Sequence, residues 1–169
     1  MRFSLFPKWI VPSLVCIEPE MLQKRGIRLL MLDFDNTIIP YTTNIPTEEM
    51  DAWLKKIQAS DISVCVVSNS KRDRVKRFCQ AKGIDCITHA RKPFRRGIAV
   101  CLKKYGYPAS ECALAGDQIF TDTLGANCAG VTSVLVTPIN NHNIWLKLRH
   151  AAEKPFIYIA KRRIENEKS

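Results

Sequence analysis

A short apolar run that ends in two aspartates constrains this chain more than any other feature. Residues 29–32 read Leu-Leu-Met-Leu, a length typical of a buried strand, and Asp33 and Asp35 follow directly. Carboxylates this close repel each other, so solvent or a cation must compensate their charge. At the carboxyl end of a strand in an α/β sheet, such a pair lies beside a ligand crevice. The pattern predicts an aspartate nucleophile and an aspartate acid/base with a divalent cation.

Strand-like and helical segments alternate along the rest of the chain. The predicted strands are 28–33, 62–67, 84–88, 112–115 and 132–136. Between them, apolar residues recur at helical spacing, as in Met50, Trp53, Leu54 and Ile57 behind a capping Thr47. Later helices are expected at 94–105 and near 121–129. This alternation predicts an α/β fold, with a parallel sheet and helices on both of its faces.

The composition is that of one globular domain, with 46% apolar and 25% charged residues in 169. We expect a core at about 28–138, an N-terminal extension at 1–27 and a basic C-terminal helical segment at 139–169. No apolar stretch reaches the ~18 residues of a membrane span, and prolines interrupt the N-terminal region, so we expect neither a span nor a signal peptide. Seven scattered cysteines without a Cys-x-x-Cys pair suggest buried thiols in a reducing cytoplasm.

Positive charge is concentrated in one segment. Of the net charge of +10, residues 71–104 contribute twelve Lys or Arg against two Asp. An anionic partner is one interpretation: phosphate, nucleic acid or a lipid headgroup. The alternative is a solvated helix face, which we favour for Lys76, Arg77, Lys103 and Lys104. Both chain ends also leave two interpretations open, namely packing on the core or peripheral contact with an anionic membrane.

Four groups of polar residues follow successive predicted strands. They are Asp33 with Asp35, Ser68 with Asn69, Lys92 before Pro93, and Gly116-Asp117 with Asp122. A parallel sheet brings the carboxyl ends of its strands to one edge, so these groups should converge on one crevice. Structural alternatives remain for single residues, since Ser68 and Asp122 can also serve as helix caps.

The order Asp-Phe-Asp-Asn-Thr, Ser-Asn, Lys-Pro and Gly-Asp-x₄-Asp resembles the haloacid dehalogenase (HAD) superfamily of phosphohydrolases. The resemblance implies a HAD-like, Rossmann-like three-layer α/β/α sandwich. Only 35 positions separate Asp33 from Ser68, which leaves no room for a cap domain, and the chain is similar to the capless subfamily IIIA. Within it, the chain resembles the YqeG-like branch, which is related to phosphatidylglycerophosphate phosphatases. Asn36 replaces a common glycine, and asparagine tolerates tight turns.

The resemblance also implies a role for each residue that handles phosphate. Asp33 attacks phosphorus and forms an aspartyl-phosphate. Asp35 protonates the leaving alcohol and then activates water. Ser68, helped by the backbone of Asn69, binds the phosphoryl group, and Lys92 neutralises charge.

A magnesium site is implied at the same place. The resemblance assigns Mg²⁺ to Asp33, Asp117 and the backbone carbonyl of Asp35, with Asp122 supporting that shell. Several carboxylates without a neighbouring His or Cys ligand suit hard Mg²⁺ better than zinc.

An open site suits a bulky substrate or one presented on a surface. The leading interpretation is a phosphatidylglycerophosphate phosphatase of phospholipid biosynthesis, working at the cytoplasmic face of a membrane. One alternative is a phosphatase for a nucleotide or a nucleic-acid terminal phosphate, although aromatic residues for base stacking are few in the basic segment. Another is a non-catalytic binding or scaffold protein of the same fold. The sequence carries no signal for oligomeric state.

Overall fold

A computed structural model describes residues 3–43, 45–71, 73–140 and 144–166. The predicted α/β fold is confirmed. The strands are β1 (Trp9–Val11), β2 (Leu29–Leu32), β3 (Ser63–Val67), β4 (Asp85–Ile87), β5 (Cys112–Gly116) and β6 (Thr132–Val136). The helices are α1 (Pro19–Gln23), α2 (Glu48–Gln58), α3 (Asp73–Lys82), α4 (Arg96–Tyr105), α5 (Leu124–Ala129) and α6 (Ile144–Asn166). A π-helical turn, Ile119–Thr123, precedes α5.

The described strands form one parallel sheet in the order β1-β6-β5-β2-β3-β4. Strand β2 lies near the centre, where Leu32 pairs with Val66 of β3 and with Ala115 of β5. The residues that follow these three strands therefore meet at one edge of the sheet. This is the edge at which the sequence predicts a functional site.

Strand β1 corrects the predicted layout of the N-terminal region. The pattern predicts five strands and an extension at 1–27, but Trp9–Val11 pairs with β6 as a sixth strand at the sheet edge. Three residues are too few to show a period, and Pro7 and Pro12 flank them. Farther along this region, Leu14, Ile17 and Leu22 are buried. The N-terminal region therefore packs on the core, which is one of the two interpretations that the sequence left open for it.

Alternate residues of the central strands face opposite layers, as the period of two requires. Leu30 and Leu32 pack with α2 and α3, whereas Leu29 and Met31 pack with α4 and α5. The cap and the apolar face that the sequence predicts for α2 are both observed. The Thr47 hydroxyl accepts a hydrogen bond from the backbone N–H of Met50, and the predicted apolar face of α2 is buried.

The C-terminal segment forms the long helix α6, as predicted, although residues 141–143 and 167–169 of the predicted segment lie outside the described residues. Glu153 and Ala160 are buried, whereas Tyr158 and Ile159 are exposed. None of the helices that the structure describes is long and apolar enough to cross a membrane.

Candidate active site

Four of the predicted site residues meet in one buried cluster at the carboxyl edge of the sheet. Lys92 Nζ lies 2.6 Å from Asp33 Oδ1 and 2.7 Å from Asp122 Oδ1. Asp33, Asp117 and Asp122 each place a carboxylate oxygen within 4.8 Å of those of the other two. The exposed fraction is 1% for the Lys92 side chain and 8% for that of Asp33. One cation and three carboxylates thus share a site that is largely closed to water.

The carboxylates keep Lys92 in its charged form. Burial opposes that charge, but Asp122 and Asp33 outweigh burial and raise the pKa of Lys92 above its ordinary value. Burial also raises the pKa of Asp122 to about 6, against the attraction of Lys92. A lysine held this firmly in the protonated form is suited to binding an anion rather than to accepting a proton.

The charge and chemistry of the cluster fit Mg²⁺. Three carboxylates against one lysine leave a surplus of negative charge, which a divalent cation compensates. All three potential ligand groups are carboxylates, and hard oxygen ligands are those that Mg²⁺ prefers. Asp122 also accepts a hydrogen bond from the backbone N–H of Gln118 at 3.1 Å, so Lys92 and the turn together orient it.

Gly116 gives the Asp122 carboxylate the space it occupies. A Cβ atom at position 116 would lie 2.3 Å from Asp122 Cγ and 2.4 Å from its Oδ2. The π-helical turn brings Asp122 back against the end of β5, where no side chain beyond hydrogen fits. The Gly-Asp-x₄-Asp pattern therefore has a steric basis in this fold.

Replacing Gly116 by alanine is expected to displace Asp122 and weaken its pair with Lys92. We expect kcat to fall about tenfold or more, and stability to fall by about 1–3 kcal/mol from overpacking. Phosphate release and urea unfolding measure the two effects. Gly125→Ala is the control, because its added methyl would meet no atom closer than 3.4 Å. Wild-type activity in Gly116→Ala would contradict the steric role.

The side chain of Asn69 holds the backbone of Lys92. Asn69 Oδ1 accepts a hydrogen bond from Lys92 N at 2.6 Å, and Nδ2 donates to Lys92 O at 2.9 Å. Two hydrogen bonds thus join the loops that follow β3 and β4. The sequence predicts only a backbone role for Asn69, since a main-chain partner 23 residues away leaves no local signal.

Asn69→Ala is expected to lower kcat about 10- to 100-fold, because misplacing a catalytic group by ~1 Å has an effect of this size. The protein should remain folded, since Asn69 itself is exposed. Steady-state phosphate release checks the result, with the exposed neighbour Lys71→Ala as the control. Equal rates for the two variants would show that the contact does not position Lys92.

Asp35 lies against Arg74 of α3. Arg74 Nη2 is 2.9 Å from Asp35 Oδ1, and the Arg74 side chain is only 10% exposed. The same guanidinium donates hydrogen bonds to the carbonyls of Pro40 and Tyr41 and lies over the ring of Phe34. Arg74 therefore orients Asp35 and ties it to the loop after β2. Nothing in the sequence distinguishes this arginine from its basic neighbours.

Ser68 is buried at the end of β3. Its Oγ accepts a hydrogen bond from Ser70 N at 3.0 Å in the loop after β3, and α3 begins only at Asp73, so Ser68 is not the helix cap that the sequence left open. A serine hydroxyl that accepts in this way still carries its own hydrogen as a donor. This turn contact and a phosphoryl contact are therefore compatible.

Two further residues of the first motif have defined contacts, and one of them, Thr37, supports the cluster. Thr37 Oγ1 lies 3.3 Å from Asp33 Oδ2 and 3.4 Å from Asp117 Oδ1, within donating distance of either. The sequence interpretation missed Thr37, although its spacing from Asp33 was a usable signal. The expectation that Asn36 tolerates a tight turn is confirmed, because its φ is +67° and its side chain pairs with the Asn140 backbone.

Part of the positive charge of segment 71–104 is compensated within the fold. Lys82 pairs with Asp51, and Lys104 lies 2.6 Å from a carboxylate oxygen of Asp85. Arg74 and Lys92 are also paired, as described above. The residues favoured for a solvated face are all exposed, namely Lys76, Arg77, Lys103 and Lys104. Less uncompensated positive charge therefore remains for a nucleic-acid partner than the number of Lys and Arg residues in this segment indicates.

The chain is similar to known phosphatases. The Bacillus subtilis protein named "Probable phosphatase YqeG" is 30% identical over 82% of this chain and 81% of its own length. Phosphatidylglycerophosphate phosphatase 1 (chloroplastic/mitochondrial) of Arabidopsis thaliana is 29% identical over 97% of this chain, which spans 47% of that protein.

A solved structure from Legionella pneumophila, described as a putative HAD superfamily (subfamily III A) hydrolase, has the same fold. Its TM-score is 0.56 at 19% identity, over 77% of this chain and 74% of the other. The family model described as mitochondrial PGP phosphatase matches residues 2–139. The chain therefore belongs to the mitochondrial PGP phosphatase family and is a phosphatase whose fold is of the HAD type.

Proposed function

We propose that this protein is a Mg²⁺-dependent phosphomonoesterase that works through an aspartyl-phosphate on Asp33. The observation that carries the proposal is the buried contact of Asp33 with Lys92 at 2.6 Å, inside a cluster of three carboxylates. A phosphoryl dianion and an aspartate repel each other, so positive charge must bring them together. This cluster offers a fixed lysine and a set of oxygen ligands for a cation.

Asp33, Asp117 and the backbone carbonyl of Asp35 would hold Mg²⁺, with Asp122 in support. When bound, the ion supplies positive charge beside the phosphoryl oxygens. Lys92, whose Nζ contacts Asp33 Oδ1, would add a second positive charge. The Thr37 hydroxyl lies within hydrogen-bond distance of both Asp33 and Asp117, so it would help to fix the relative position of these two proposed metal ligands.

The reaction has two steps. In the first, the Asp33 carboxylate forms a bond to phosphorus while the ester bond breaks, and Asp35 gives a proton to the leaving oxygen. In the second, Asp35 takes a proton from water, which attacks phosphorus and releases Asp33 and inorganic phosphate. The Lys92 ammonium, the Ser68 hydroxyl and the backbone of Asn69 bind the phosphoryl oxygens throughout.

Phosphatidylglycerophosphate is the proposed substrate. The family description and the name of the Arabidopsis thaliana relative support this substrate. The test is phosphate release from this lipid in mixed micelles, with Mg²⁺, with chelator and after Mg²⁺ is restored. We expect turnover that stops with chelator and returns with Mg²⁺. Release from a 5′-phosphorylated oligonucleotide but not from the lipid would favour the nucleic-acid alternative.

We further propose that the protein acts at the cytoplasmic face of a membrane as a peripheral protein. Exposed Tyr158 and Ile159 lie beside basic residues of α6, a combination suited to an anionic surface. The protein should float with vesicles that contain phosphatidylglycerol and dissociate at high salt, because charge contributes to the contact. A protein that stays at the bottom of the gradient at low salt would contradict this proposal.

A further inference from the structure

We infer that one face of α6 binds the leaving-group side of the substrate and selects phosphomonoesters whose leaving group carries a phosphodiester. The face consists of Lys154, Ile157, Tyr158 and Lys161, and we call it the α6 face. This inference rests on the proposed function. It assigns substrate selection to residues that lie outside the catalytic motifs.

A cavity of about 390 Å³ lies between the α6 face and one residue of the active-site cluster, Asp117. It lies between α6 and the carboxyl ends of β1 and β6, and Asp117 forms part of its wall. Apart from Thr137, the rest of the lining is apolar and includes Ile10, Val136 and Pro138. A substrate whose phosphoryl group lies at Asp33 can therefore extend its leaving group into this cavity.

The four residues of the α6 face recur at i, i+3, i+4 and i+7, so they lie on one side of the helix. Lys154 and Lys161 are about 10 Å apart along the helix axis, at 1.5 Å per residue. Ile157 and Tyr158 lie between them. The cavity is thus lined by two cations with an apolar surface between.

A separate side of α6 anchors the helix. Glu153 Oε1 accepts a hydrogen bond at 2.9 Å from the backbone N–H of Ile119, the first residue of the turn that carries Asp122. The ring of Phe156 contacts the rings of Phe6 and Phe120, at centroid distances of 6.2 and 6.1 Å. Because these contacts hold α6 against the catalytic turn, the α6 face is presented to the active site in a defined position.

The chemistry of the cavity indicates what it binds. Within the described lining, Asp117 is the sole carboxylate, and it belongs to the cluster already described. Two lysines therefore attract an anion that is distinct from the phosphate being removed. The apolar surface between them suits the carbon skeleton of an alcohol rather than a second highly charged group. A glycerol phosphodiester combines both properties.

Two substrates with related leaving groups test this inference. Glycerol 3-phosphate has a glycerol leaving group alone, whereas glycerophosphoglycerophosphate adds a phosphodiester without acyl chains. Wild-type kcat/KM should be higher for the second by about tenfold or more, since hydrogen bonds to charged groups have effects of this size. In the double variant Lys154→Ala, Lys161→Ala this preference should fall about tenfold or more.

The control is the double variant Lys76→Ala, Lys103→Ala, which removes the same charge from exposed positions on α3 and α4. It should keep the wild-type preference at equal ionic strength. A preference that survives unchanged in the α6 variant would overturn the inference, while turnover of phosphatidylglycerophosphate by the wild type would leave the proposed function standing. A wild type that hydrolyses neither diester-containing compound would overturn the proposed substrate, and the inference with it.

Discussion

Replacing Asp33 by asparagine is expected to lower kcat by about 10⁴-fold or more, because an amide does not attack phosphorus. The change preserves the shape of the side chain, and its carbonyl oxygen can still accept a hydrogen bond from Lys92. The folded state should therefore persist. Phosphate release and the trapping of labelled phosphoenzyme measure the effect, and both signals should disappear together.

Asp61→Asn is the matched control, since it neutralises an exposed carboxylate away from the cluster. It should retain the wild-type rate and the wild-type phosphoenzyme signal. If Asp33→Asn formed labelled enzyme at the normal rate, the nucleophile would have to be a different residue. If it turned over substrate without a labelled enzyme, direct attack by water would replace the proposed two-step reaction.

Replacing Lys92 by methionine is expected to abolish turnover and also to destabilise the fold. The change removes the positive charge that lies against Asp33 and Asp122 and leaves three buried carboxylates close together. Removing one partner from a buried ion pair costs about 3–5 kcal/mol. Urea unfolding without divalent cations measures this loss, and Mg²⁺ should restore part of it by neutralising the same carboxylates.

Lys104→Met is the control for the stability effect. Lys104 also pairs with an aspartate, Asp85, but both side chains are roughly half exposed, so solvent screens that contact. Its removal should change stability little and should not make unfolding depend on Mg²⁺. A Lys92→Met protein as stable as the wild type without Mg²⁺ would show that Lys92 does not hold the carboxylates together.

Local patterns predict most of the fold. Strand β6 is observed at Thr132–Val136, as the sequence indicates, and the apolar face of α2 is buried where the helical period places it. These elements are predictable because each spans enough residues for its period to be visible. Strand β1 has three residues between prolines, and only its pairing with β6 identifies it.

The residues of the active site also fall into those that the sequence predicts and those that it does not. Asp33, Lys92, Asp117 and Asp122 were predictable because each follows a strand, and parallel strands end at one edge of the sheet. Arg74 was not, since its partners Asp35 and the loop carbonyls are more than thirty residues away in the chain. The two hydrogen bonds between the Asn69 side chain and the Lys92 backbone were not predictable either, because they join loops that follow different strands.

By itself, the sequence determined strands β2 to β6, the functional edge of the sheet and the residues that gather there, because strand length, helical period and residue order are local properties. The tertiary structure decided which groups touch. It put Lys92 between Asp33 and Asp122, made position 116 too narrow for any side chain beyond hydrogen, and anchored α6 through Glu153 to the catalytic turn. Such contacts depend on packing between distant segments, and no local pattern records them.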